Sequence, residues 1–67
     1  MEKSKEFYVH KDHMVAFLLL IQKYDLRTGL SYVEEGDDTI MLSVWYSDDD
    51  SIQIQGIKKL QELTKGD

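Results

Sequence analysis

Thr39–Ser47 reads TIMLSVWYS, and this stretch decides the fold. Its β-branched and aromatic side chains suit a pleated, half-buried surface. Acid-rich segments bound it at both ends, Glu34-Glu35-Gly36-Asp37-Asp38 before it and Asp48-Asp49-Asp50 after it. Side chains alternate across a strand. Ile40, Leu42, Val44 and Tyr46 therefore point one way, and Met41, Ser43, Trp45 and Ser47 the other. The first set is the expected core face, under the helices. The second set carries Trp and Met, the types enriched at contact surfaces. Trp45 is the anchor candidate, because buried indoles often dominate binding energy. It has three readings: contact with a foreign partner, closure against its own copy, or packing on Tyr32 or Tyr8.

Upstream, Glu35-Gly36-Asp37-Asp38 is turn chemistry, with glycine supplying a positive φ. It joins the strand to a second one, Leu30–Glu35. Before that, Met14 to Ile21 is an apolar run of eight residues. A helix is expected from about His13 to Arg27, with Asp12 as N-cap and Gly29 as the left-handed residue that ends it. Its apolar residues cover more than one stripe, so one sheet does not bury it. Phe17, Leu18, Leu20 and Ile21 are the expected homodimer interface, with the C-terminal helix as the competing cover. Phe7-Tyr8-Val9 has strand propensity and reads as a short N-terminal strand or extended arm, although helical spacing also fits this region.

Downstream, Ser51–Gln55 (SIQIQ) alternates polar and apolar and reads as a third strand, followed by a helix from about Gly56 to Lys65. A competing reading starts that helix at Ser51, with the acids ahead of its first turn, where the dipole favours them. Gly56 inside that helix costs about 1 kcal/mol, which weighs for the strand. In the last helix Ile57, Leu60 and Leu63 or Thr64 share a face, Lys65 lies in the last turn and Gly66 ends it. The expected architecture is one α+β domain over residues 1–67. It is a three-stranded antiparallel meander packed with two helices, in the order α-β-β-β-α, with room for a short N-terminal strand. That order is shared by double-stranded-RNA-binding modules, but the bases such a module uses are missing from the sheet region, so its function does not follow.

Charge is uneven. Residues 1–28 hold five bases and four acids, residues 29–55 hold seven acids and no base, and residues 56–67 hold three bases and two acids. Without a basic patch, direct nucleic-acid binding is not expected. A basic partner protein is the natural counterpart of the net charge of −5. The chain has no Cys, hence neither a disulfide nor a thiolate metal site. The Met14–Ile21 run is far short of the about 20 residues of a spanning helix, and no small-residue cleavage site follows it. A soluble cytoplasmic protein is expected, with no membrane association.

Chemistry has little foothold. There is no phosphate loop or nucleophile elbow, and the paired carboxylates lie in solvated turns where nothing shifts a pKa toward neutrality. His10 and His13 lack a third fixed metal ligand. No catalytic residue, cofactor or metal is expected. The leading expectation is a small acidic protein-binding module, an inhibitor or regulator of a basic partner. Met41 and Trp45 are its anchors, and Glu34, Glu35, Asp37, Asp38, Asp48, Asp49 and Asp50 supply steering and rim contacts. Its size and charge suit a phage-encoded or mobile-element factor, and two acid clusters along an apolar strip share the charge logic of a nucleic-acid mimic. The alternatives are a homodimeric assembly subunit and a small-molecule binder in a dimer cleft.

Overall fold

The computed structural model describes residues 1–34, 36 and 38–64. Five long elements follow one another: β1 (Glu2–His10), α1 (Met14–Lys23), β2 (Arg27–Glu34), β3 (Thr39–Ser47) and α2 (Ser51–Thr64). A 3-10 turn, Lys11–His13, leads into α1. The three strands form one antiparallel sheet in the order β1-β3-β2. This is the α+β arrangement of three antiparallel strands and two helices that the hydrophobic pattern implied.

The third strand comes from the N-terminus. β1 pairs with β3 from Glu2 opposite Ser47 to His10 opposite Thr39. Ser51–Gln55 is the first part of α2 instead. The sheet is accordingly not a meander, because β1 lies beside β3 rather than beside β2. The local reason is the helix start. Asp50 Oδ1 accepts from the amides of Ile52 (3.0 Å) and Gln53 (3.2 Å), satisfying two of the free donors of the first turn. The alternation of SIQIQ has a separate cause. Gln53 accepts from Ser47 N through Oε1 (2.7 Å) and donates to the Asp25 carbonyl through Nε2 (2.8 Å), so it ties α2 to the end of β3 and to the α1–β2 turn.

Gly56 is the residue that misdirected the strand assignment. Its helical cost is real, but a Cβ there would stand 2.6 Å from Tyr24 Cβ, 2.8 Å from Tyr24 Cγ and 3.0 Å from Leu26 Cδ1. The backbone of α2 thus rests directly on the end of α1, an approach only glycine permits.

α1 is shorter than expected and ends before Gly29. Asp25 takes the left-handed position, with φ 55°. The Leu26 amide bonds the Ile21 carbonyl (2.9 Å) and the Asp25 amide the Gln22 carbonyl (3.2 Å), which is the Schellman pattern. Leu26 and Ile21 are both buried, completing its apolar contact. At the other end Asp12 is not the cap. His10 Nδ1 accepts from the Asp12 amide (3.2 Å), and the 3-10 turn intervenes.

Phe7, Val9, Phe17, Ile21, Leu26, Leu42, Val44, Ile57 and Leu60 form the core. Phe7 meets Phe17 edge to face, with centroids 5.6 Å apart. Ile40 and Tyr46 pack against this cluster, so the inward set on β3 is as its alternation implied. α2 lies over β1 and β3, and α1 packs against β1 and α2. On β2 the helix-side residues Leu30 and Val33, opposite Leu42 and Ile40, stay exposed. No helix among the described residues is long and apolar enough to cross a membrane.

Candidate protein-binding face

The other side of the sheet carries no helix. Register sets its side chains in rows. Tyr8 of β1, Met41 of β3 and Tyr32 of β2 stand side by side. The next row along β3 is Glu6, Ser43 and Gly29, and the one after it is Ser4, Trp45 and Arg27. Same-face rows are about 7 Å apart, two residues of strand rise. The middle row thus has a low floor at Ser43 and Gly29, with Glu6 at its β1 end, between two rows that carry aromatics. Ser31, the extra residue of a bulge in β2, closes the floor through a 2.5 Å contact of its hydroxyl with that of Ser43.

Trp45 leans over Gly29. A Cβ at Gly29 would stand 3.2 Å from indole Cζ3 and 3.3 Å from Cη2, so the ring lies on bare backbone. Local packing therefore holds its inner face, while 37% of the residue remains accessible. Arg27 and Glu2 pair beside it, and these two, Thr28 and Trp45 line a shallow cavity of about 350 Å³. Tyr8 is 64% and Tyr32 56% exposed. Met41 is half-buried. Met41 and Trp45 are thereby brought onto one open face, together with Tyr8, Tyr32 and Glu6, which alternation on β3 alone did not reveal. The pairing of β1 with β3 was the missing information.

Four acids of the turns, Asp38 and Asp48 to Asp50, hold internal partners. Asp48 and Asp49 accept from the Met1 amine at 2.9 and 3.1 Å. Lys3 lies 4.0 Å from Asp48. Asp50 caps α2. Asp38, with φ 53°, pairs with Lys11 at 3.3 Å. Glu34 lies in the last position of β2, opposite Thr39. Glu35 and Asp37, and the proposed helix end at Lys65 and Gly66, fall outside the described residues. The hydrogen bond from the Met1 amine holds the Asp48 carboxyl below its ordinary range, and donating to Asp48 and then Asp49 pushes the amine up.

The four residues expected at a dimer interface separate. Phe17 and Ile21 belong to the core of their own chain, and Leu20 packs against it. Leu18 is exposed, beside Val15 and Leu19 on the same outer stripe of α1. His10 and His13 have ring centroids 6.5 Å apart. The His10 nitrogen nearest the Asp12 carboxylate (3.4 Å) already accepts the Asp12 amide, so that contact is not an ion pair while the ring is neutral. Among the described residues, no three of His, Cys, Asp and Glu are grouped to hold a metal ion.

These features define a small α+β domain with one helix-covered and one open sheet face. No protein-family model, curated protein or solved structure matches the chain.

Proposed function

We propose that the protein is a binding module that docks a cationic partner protein on the open face of its sheet, acting as an inhibitor or regulator rather than as a catalyst. The observation that carries this reading is the grouping of Tyr8, Met41, Tyr32 and Trp45 around Glu6 on that face. The Glu6 carboxylate has no ion-paired partner among the described residues, whereas Arg27, the base on the same face, is neutralised by Glu2. Lys3 and Lys5 lie on the opposite side of β1, the side of Phe7 and Val9, and Lys23, Lys58 and Lys59 are exposed on the helices. Aromatic faces beside an unpaired carboxylate suit Lys and Arg side chains, through charge pairing and cation–π contact. A net charge of −5 steers such a partner from a distance.

The anchors Met41 and Trp45 keep their place in this reading. Asp38, Asp48, Asp49 and Asp50 move from rim contacts to structural roles, since each already serves an internal partner. Immobilised protein challenged with host extract at low and high salt tests the reading. It predicts retention of proteins of high isoelectric point, lost at high salt and lost for both Trp45→Ala and Glu6→Lys. Retention unaffected by either substitution, or indifferent to salt, contradicts it.

A further inference from the structure

The two free edges of the sheet differ. β2 is interrupted by the bulge at Ser31, and a bulge turns an edge away from pairing. β1 keeps an uninterrupted register with β3 over its whole length, Glu2–His10. An edge strand presents a row of unpaired backbone donors and acceptors. Along this edge runs an open groove of about 960 Å³, lined by Lys5, Phe7, Tyr8 and His10 of the strand and by Gln61 and Thr64 of α2.

We propose that a second copy of the chain occupies this edge, with β1 pairing antiparallel to β1 across a two-fold axis to make a six-stranded sheet. The charges along the strand select both the occupant and the register. Residues directly opposite each other in an antiparallel pair share a face and have Cβ atoms about 5 Å apart, where like charges repel. For the helix sides of both copies to coincide, the axis must pass through a residue rather than between two. An axis at Ser4 sets Glu2 against Glu6 of the other copy and Lys3 against Lys5. An axis at Lys5 or at Glu6 sets that charge against itself. An axis at Phe7 sets Phe7 on Phe7, Glu6 on Tyr8, Lys5 on Val9 and Ser4 on His10, so residues 4–10 pair with no like charges opposed. An axis at Tyr8 shortens the paired stretch to residues 6–10. Charge thus rejects the registers centred on Ser4, Lys5 and Glu6, length disfavours the one centred on Tyr8, and residues 4–10 form the seam. Both open faces then lie on one side, and Tyr8 of each copy stands beside Glu6 of the other.

Tyr8 is 64% exposed, so the sign of a charge placed there is read without disturbing the core. Sedimentation at micromolar concentrations is expected to give a dimer for the wild type. Tyr8→Glu opposes two pairs of like charges by symmetry and is expected to weaken dimerisation about tenfold or more. Tyr8→Lys creates two opposite-charge pairs and is expected to match or exceed the wild type. Unchanged far-UV circular dichroism for both variants excludes unfolding as the cause. A monomer at all concentrations overturns the proposal, and so does a dimer indifferent to the sign at Tyr8. If such a dimer is dissociated by Leu18→Lys, the interface is the outer stripe of α1 instead.

Discussion

Gly56 shows how one residue can carry two opposed signals. In isolation, replacing a mid-helix glycine by alanine stabilises by about 1 kcal/mol. Here the added methyl would meet the Tyr24 side chain well inside contact distance. Gly56→Ala is therefore expected to destabilise, by about 2 kcal/mol or more, as overpacking does. Urea denaturation reads this directly, and a stabilised variant would show that α1 and α2 do not touch here. Asp48 and the Met1 amine give a second prediction at this scale. The Asp48 carboxyl is lowered on folding, so its contribution is present above the ordinary carboxylate range and is lost as pH falls through the lowered value. The amine is raised from 8.0, so its contribution is present below that value and is lost as pH rises through the raised one. The stability difference between the wild type and Asp48→Asn is expected to be small, because the pair is exposed, and largest between those limits. Thermal melts across pH check it, and a difference that does not fade at either end contradicts the pairing.

Among the elements, α2 shows what a sequence pattern conceals. Asp50 supplies its cap, and Asp50→Ala is expected to cost about 1 kcal/mol, measured by denaturation against Asp49→Ala as a reference with little effect. Equal losses at both positions would remove the capping assignment. Strand β3 was legible throughout, since Ile40, Leu42, Val44 and Tyr46 alternate strictly and the helices cover that side. The inward face of α2 was legible too, because Ile57, Leu60 and Leu63 recur at helical spacing. Its start was not, because Gln53 bridges to Ser47 and Asp25 within the period-2 pattern of SIQIQ, while the cap, Asp50, lies just ahead of it. The end of α1 was hidden for a related reason: Asp25 does the work expected of a glycine, and Gly29 is needed under Trp45. The candidate face was half legible. Met41 and Trp45 followed from alternation within one strand, whereas Tyr8, Glu6 and Tyr32 join them only through strand pairing, which no local pattern encodes.

At the scale of the molecule, 37 × 19 × 18 Å, two helices cover one sheet side except along β2, and the other side is left to solvent. Several bases stay on the helix side, and Asp38, Asp48, Asp49 and Asp50 are spent on internal partners. What the open side offers among the described residues is a row of aromatics, an indole held on a glycine and the unpaired carboxylate of Glu6. That division of labour is why we propose that this face receives a cationic partner. Amide and indole chemical shifts recorded during titration with a short Lys- and Arg-rich peptide test it most directly. The expected result is a set of salt-sensitive shifts concentrated at Glu6, Tyr8, Tyr32, Met41, Ser43 and the Trp45 indole, and abolished by Glu6→Lys. Shifts confined to Asp48–Asp50 or to the helices, with the Trp45 indole unmoved, would contradict it.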